Sequence, residues 1–447
     1  MRIVTLTGEE QGKAMDALLR RNPVNYGEYE ETVREITDRV RREGDAAVFR
    51  YEEQFDRCRL SKETLRVSRR EIEEAYAALD PAFIGVMRRA AENIRRYHEK
   101  QRQESWISTS EDGVILGQKI TPIGVSGCYV PGGRAAYPSS VLMNVIPAKV
   151  AGVRRILVCT PPNPEGRVPT GTVVAADIAG ADEIYKIGGA QAIAAMAFGT
   201  ETIPRADKIT GPGNIFVALA KKACFGYVGI DSVAGPSEIL VIADETANPR
   251  YVAADLLSQA EHDPMASAIL LTVSRELAEA VSREIDAFLP ELDRADIIRE
   301  SLERYGCLFV GKDMEQLIEA ANAIASEHVE IMTAEPFAVM TKLRNAGAIF
   351  LGSFSSEPLG DYYAGPNHIL PTNGTARFFS PLGVEQFVKR SSIISYSREA
   401  LERVHEDIEL FAENEGLTAH ANSIKVRFAE DAADAAEQGG GTCVQRK

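Results

Sequence analysis

The chain has 447 residues, 45% hydrophobic and 26% charged, with a formal net charge of -15, the make-up of a globular protein with room for two or three domains. The acidic balance argues against a nucleic-acid partner, which calls for a basic stripe. Six cysteines without a C-x-x-C pair argue against a disulfide framework or a thiolate zinc cluster, and no run reaches the ~18 apolar residues of a membrane-spanning helix, so a reducing, cytoplasmic setting is expected.

Residues 25 to 105 carry apolar side chains at helical intervals, as in Ile72, Tyr76 and Leu79, then Val86, Ala90, Ile94 and Tyr97, and predict a helical layer with solvated charged faces. From about 113 short β-rich runs, Val114 to Leu116 and Ile123 to Val125, announce a new domain. Between 140 and 240 strand-like and helix-like segments alternate. Ile156 to Cys159, Glu183 to Ile187 and Lys208 to Thr210 read as strands, and Val173 to Ala179, Gln191 to Phe198 and a segment from Ile215 as helices. This βα repetition predicts an α/β fold with a mostly parallel sheet covered on both faces.

A second βα series follows. Ile239 to Ile242, Ala268 to Val273, Leu308 to Val310 and Val329 to Met332 read as strands. Asn248-Pro249 predicts a capped helix start with an apolar stripe at Ala253, Leu256, Leu257 and Ala260, and Asp313 with Gln316 resembles a capping box for a helix from Met314 to Ala325. Beyond about 380 the sequence reads as helical from Ser397 to Gly416, then β-like over Ser423 to Phe428, with a flexible tail over 429–447.

Four glycine-bearing turns follow strand-like segments: Val130 to Gly133, Gly188 to Gln191, Gly211 to Asn214 and Ala234 to Ser237. Backbone approaches a ligand closely at such turns and helix N-termini favour phosphate, so a nucleotide is one reading and plain tight βα turns the other. A polar constellation draws on four of the six histidines: Gln259 with His262, Glu327-His328, Asp361 with His368, and Glu415 with His420. Imidazole and carboxylate together suit zinc, and an adjacent Glu-His pair offers two groups of different pKa for acid/base work. Glu327-His328 falls at a helix-to-strand junction, near an edge where open α/β sheets build sites. Periodicity alone does not bring these segments together.

Over residues 30 to 428 the chain resembles the histidinol dehydrogenase family, in VPGGRAAYPSSVLMNVIPAKVAG, IGGAQAIAAMAFGT, KITGPGN, AGPSEILVIAD, DLLSQAEHDP, EHVEIM, GDYYAGPNHILPT and LTAHAN. The resemblance implies zinc-dependent, NAD-linked oxidation of L-histidinol through L-histidinal to L-histidine in the last two steps of histidine biosynthesis. Carried over position by position, it implies one zinc per subunit on Gln259, His262, Asp361 and His420, and a catalytic pair of Glu327 and His328. Substrate contacts match Ser237, His368 and Glu415 beside Gln259, His262, His328, Asp361 and His420. Cofactor contacts match Tyr129, Gln191 and Asn214.

The implied fold has two incomplete Rossmann-like domains of the aldehyde dehydrogenase-like superfamily, with smaller helical N- and C-terminal parts in an intertwined homodimer. The expected division is an N-terminal segment 1–25, a helical layer 26–125 associated with the second Rossmann-like unit, a cofactor domain 126–237 and a metal and catalytic domain 238–380. An arm 381–428, carrying Glu415 and His420 to the partner's site, precedes the tail. Ser326 departs from the family pattern, which often has proline before Glu-His. The other classes weighed are a zinc-dependent amide hydrolase, with Glu327 activating water, and a catalytically silent metal-stapled scaffold.

Overall fold

The computed structural model of the chain describes residues 1–7, 27–110, 112–132, 137–233 and 235–428. The expected tail 429–447 and most of the N-terminal segment 1–25 lie outside the described residues. The chain forms two compact units, one of residues 1–102 and 122–388, the other of 103–121 with the chain from 389.

The larger unit opens with β1 (Ile3–Thr5) and continues in α1 (Gly27–Glu43), α2 (Asp45–Tyr51), α3 (Arg69–Ala78) and α4 (Pro81–Glu99). Acidic Glu28 and Glu30 begin α1 and basic Arg41 and Arg42 end it, as the helix dipole favours. Ser68 and Glu71 close a capping box on α3, and Asp80 caps α4 with Pro81 in its first turn. The chain then leaves for the smaller unit, where β2 (Trp106–Thr109) and β3 (Val114–Pro122) run antiparallel.

On its return it lays down β4 (Val125–Tyr129), α5 (Pro138–Ala151), β5 (Arg155–Thr160), α6 (Thr170–Ala179), β6 (Glu183–Lys186), α7 (Gly189–Phe198), β7 (Lys208–Thr210), α8 (Ile215–Cys224) and β8 (Gly229–Ile230). These strands form a parallel sheet in the order β6-β5-β4-β7-β8. The order reverses at β4 and β7, which opens a crevice at their carboxyl ends.

A second parallel sheet contains β9 (Glu238–Ala243), α9 (Pro249–Ala260), β10 (Ser267–Thr272), α10 (Arg275–Phe288), α11 (Ala295–Tyr305), β11 (Cys307–Val310), α12 (Met314–Ile324), β12 (His328–Met332) and β13 (Ala348–Leu351). Its order is β1-β11-β10-β9-β12-β13. Asn248 caps α9 through Arg250 N–H, with Pro249 in the first turn. Only half of the capping box forms on α12: Asp313 accepts from Gln316 N–H, but the Gln316 amide turns to Lys312 N–H and the Leu6 carbonyl.

The helical layer packs on the first sheet, not on the second as expected. Helices α3 and α4 share a core with α5 and α6, and α1 and α2 share one with α7 and α8. The reason lies in composition. Ser140 to Ala148 of α5 and Ala190 to Ala197 of α7 are buried without a break. A helix that is apolar all round must be covered on its outer side as well, and the amphipathic α1 to α4 do this.

In the smaller unit β14 (Val388–Tyr396) joins β3 and β2 in a three-stranded sheet ordered β14-β3-β2. Helices α13 (Arg398–Glu402), α14 (His405–Asn414) and α15 (Thr418–Lys425) follow. Two expectations are corrected here. The C-terminal part expected to be helical also holds the strand β14, ahead of the helices that do form between Ser397 and Gly416, and Ser423 to Phe428 is not a strand, because α15 runs to Lys425. The polar–apolar alternation of Ile424, Val426 and Phe428 is outweighed by the pairing of α15 with α14, tied by Lys425 Nζ and Glu413 Oε1 at 2.5 Å.

Candidate active site

The crevice of the first sheet is a cavity of about 1220 Å³ lined by Tyr129, Gly132, Gln191 and Asn214 among others. Tyr129 ends β4, and its Oη accepts from Gly189 N–H at 3.1 Å. Gln191 opens α7 and is buried, its Nε2 donating to Glu52 Oε1 at 2.8 Å. Asn214 caps α8: its Oδ1 accepts from Phe216 and Val217 N–H at 3.1 and 3.2 Å, which leaves its Nδ2 to face a ligand. The amides of the Gly188-Gly189 turn are therefore taken, Gly188 N–H by Glu52 and Gly189 N–H by Tyr129, so this turn is not an open phosphate nest.

Gly211 holds the third glycine turn. Its φ of +115° is closed to other residues, and an added Cβ would strike the Tyr129 carbonyl. An ion pair of the buried Lys221 with Asp231, whose side chain is largely covered, grips this one residue. Lys221 Nζ donates to the Gly211 carbonyl at 3.0 Å and Asp231 Oδ2 accepts from Gly211 N–H at 2.8 Å.

The polar constellation lies at the opposite kind of edge. Glu238 begins β9, His328 begins β12, and His262 precedes β10, so these groups stand at the amino ends of the second sheet rather than at the carboxyl ends where open sheets commonly bind ligands. His328 is buried, and its Nδ1 lies 3.0 Å from the Glu238 carbonyl. The carbonyl can only accept, so Nδ1 carries the proton and Nε2, with no hydrogen-bond partner among the described residues and Glu357 Oε1 4.0 Å away, presents a lone pair. Burial lowers the His328 pKa to about 4, keeping the ring neutral. Its neighbour Glu327 is locked by reciprocal bonds: Glu238 N–H donates to Glu327 Oε2 at 2.9 Å and Glu327 N–H to Glu238 Oε2 at 3.2 Å. Burial raises the Glu327 carboxyl well above the ordinary range.

Around this pair the structure gathers acids. Glu357 is raised to about 9 by burial and then by Asp361 beside it, Asp255 to about 6 by burial, and Glu330 well above the ordinary value by burial and then by Asp255. Ligand atoms of His328, Glu357 and Asp361 lie within 4.8 Å of one another, a possible metal site. Asp361 also approaches His368, whose Nδ1 is 3.7 Å from the carboxylate and 3.1 Å from the Asp361 carbonyl. His262 is an exposed residue whose ring is nonetheless held low by desolvation from the surrounding protein and lifted partly back by Asp361. Gln259, near the end of α9, is buried with no hydrogen-bond partner for Oε1 among the described residues, a cost of about 1–3 kcal/mol unless a ligand pays it.

Ser140, in the first turn of α5, places its Oγ 3.3 Å from His368 Nε2, so the carboxyl edge of the first sheet touches the polar constellation of the second. Ser237 lies just before β9, its carbonyl accepting from Ser267 N–H at 3.0 Å. Glu415 and His420 belong to the smaller unit, where they line one groove of about 820 Å³ with Phe411 and Leu417. Ser326 is buried with no hydrogen-bond partner for Oγ among the described residues, and Ala325 before it takes a left-handed φ of +56°.

Sequence reasoning missed Glu238, Glu330 and Glu357. A usable signal existed for one of them: Glu330 interrupts the run Val329 to Met332, which reads as a parallel strand covered on both faces, where a carboxylate has no route to water, whereas Glu238 stands in front of the run from Ile239. Glu357 follows Ser356 in a polar loop and carries no such mark.

A sequence profile described as histidinol dehydrogenase matches residues 19–428. The histidinol dehydrogenase of Geobacillus kaustophilus (strain HTA426) is 57% identical over 401 residues, 90% of this chain and 94% of that one. That of Bacillus subtilis (strain 168) is 54% identical over 427 residues, 96% and 99% of the two chains. Among solved structures, histidinol dehydrogenase from Elizabethkingia anophelis superimposes with a TM-score of 0.91 at 37% identity, covering 96% of this chain and 98% of that one. With a profile spanning nearly the whole length and relatives above half identity, this chain belongs to the histidinol dehydrogenase family.

Proposed function

We propose that the chain oxidises L-histidinol through L-histidinal to L-histidine in two NAD-linked steps, within one site built on the amino edge of the second sheet. The observation that carries the reading is the buried His328 ring, fixed by Glu238 with an Nε2 lone pair that no described residue takes up in a hydrogen bond. Such a group can take the alcohol proton as hydride leaves. Glu327, close by and held by Glu238, suits activation of the water that adds to the aldehyde. Burial of both groups keeps the aldehyde from side reactions.

Gln259, His262 and Asp361, completed by the partner subunit's His420, suit zinc: the donor set is nitrogen and oxygen, and the orphaned Gln259 Oε1 fits a ligand role. When bound, zinc supplies the charge that fixes the amino and imidazole nitrogens of the substrate. Ser237 and His368 line the substrate, with the partner subunit's Glu415. Tyr129, Gln191 and Asn214 hold the dinucleotide, which accepts one hydride in each step. The exposed Phe411 and Leu417 beside Glu415 and His420 support a homodimer with shared sites. Two Rossmann-like domains of the aldehyde dehydrogenase-like kind and a cytoplasmic setting complete the proposal.

The test is stoichiometry. Purified protein with zinc and excess NAD is expected to form about two NADH per histidinol consumed. Amide cleavage without nicotinamide, and no NADH, would replace this reading with the hydrolase.

A further inference from the structure

We propose that Glu52 is a positioning residue for the dinucleotide: it holds the Gln191 amide with its Oε1 turned to the cavity, so that Gln191 recognises a hydrogen-bond donor on the cofactor. This rests on the assignment of the first-sheet cavity to NAD. Glu52 lies in the π-helical turn after α2, far from α7 in sequence, and is fully buried. One oxygen, Oε1, accepts from Gln191 Nε2 at 2.8 Å and from Gly188 N–H at 3.1 Å. Gly188 N–H can only donate, so Oε1 is the accepting oxygen of the carboxyl, its proton sitting on Oε2 towards Asp56, and this oxygen takes the nitrogen end of the Gln191 amide. The carbonyl end is thereby assigned to the cavity side.

The same oxygen fixes the Gly188-Gly189 turn, whose backbone cannot shift freely because a Cβ at Gly188 would lie 2.5 Å from Pro161 Cβ. Both Gln191 and Gly189 line the cavity, as does Asp56 from the Glu52 turn. Burial, and then the neighbouring Asp56 charge, raises the Glu52 carboxyl to about 8. At neutral pH it is uncharged and does not oppose an anionic dinucleotide. The amides at the start of α7 are spent on Glu52 and Tyr129 instead of on phosphate. Recognition at this turn thus passes through the Gln191 side chain.

The experiment uses the zinc-loaded enzyme, with NAD binding followed by calorimetry and steady-state kinetics. Glu52→Gln keeps an acceptor oxygen on the same stem and is expected to bind NAD within about twofold of the parent. Glu52→Asp withdraws the acceptor by one methylene, and Glu52→Met removes it. Each is expected to weaken NAD binding about tenfold, a 1.4 kcal/mol loss, raising KM for NAD while KM for histidinol stays put. In a double-mutant cycle with Gln191→Ala, the effect of Glu52→Met is expected to vanish. Additive losses, or a Gln variant as impaired as the Asp variant, would overturn the role of Glu52. Unchanged NAD binding in Gln191→Ala alone would instead remove the cavity assignment and the proposal with it. Glu52→Asp keeps the test open if the Met variant does not fold.

Discussion

At the scale of single residues, the site depends on which groups are kept neutral. His328 at about 4 is uncharged throughout the physiological range, so His328→Asn is expected to lower kcat on the order of a hundred- to ten-thousand-fold while bound zinc, measured by metal analysis, is retained. His262→Asn is expected to lose the metal, and full zinc occupancy there would refute the ligand assignment. Glu52 makes a separate prediction in stability. Its folded value of about 8 against an ordinary 4.5 means that between these values the folded chain holds a proton the unfolded chain has released. The stabilisation from this group is therefore full below 4.5 and is lost as pH rises through 8. Glu52→Gln removes that loss, so its urea midpoint relative to the parent is expected to rise from pH 5 to pH 8.5. The histidines were legible in sequence because the residue type is rare and chemically pointed. The acids were not, since 65 acidic residues look alike until burial selects a few of them.

Among the elements, the βα alternation from 140 to 332 was legible because each buried strand and each amphipathic or apolar helix carries its own period. What escaped was set by partners distant in the chain. Strand β14 is specified by β3, more than 260 residues earlier, and α15 by its packing on α14. Placement of the helical layer followed from the all-apolar α5 and α7, not from the layer's own sequence. The turn at Gly211 shows the same dependence, as its grip comes from Lys221 on α8 and Asp231 after β8. Lys221→Met leaves the Asp231 charge buried and uncompensated, and is expected to cost about 3–5 kcal/mol, read from urea unfolding. Adding Asp231→Leu to Lys221→Met is expected to return part of that loss.

For the whole molecule, the proposed sharing of sites makes a quantitative claim. A subunit carrying His328→Asn and one carrying His420→Asn are each expected to be inactive, yet unfolding and refolding an equal mixture is expected to restore about a quarter of wild-type activity. Half of the dimers are then mixed, and each has one of two sites intact. Failure to regain activity, with mixed dimers shown to form by mass spectrometry, would argue that each chain completes its own site.

The smaller unit joins residues 103–121 to the chain from 389, and this governs the order in which the protein can be made. The β2–β3 hairpin leaves the ribosome early, with Trp106 and Ile107 exposed on its strand. At ordinary synthesis rates β14 emerges roughly 10–50 s later, and until then β3 has an open side. Any pause in translation lengthens the interval in which that side can pair with another nascent chain. Expression at high ribosome density is thus expected to favour aggregates seeded by this hairpin, and the same open side gives neighbouring nascent subunits a chance to meet before either is finished.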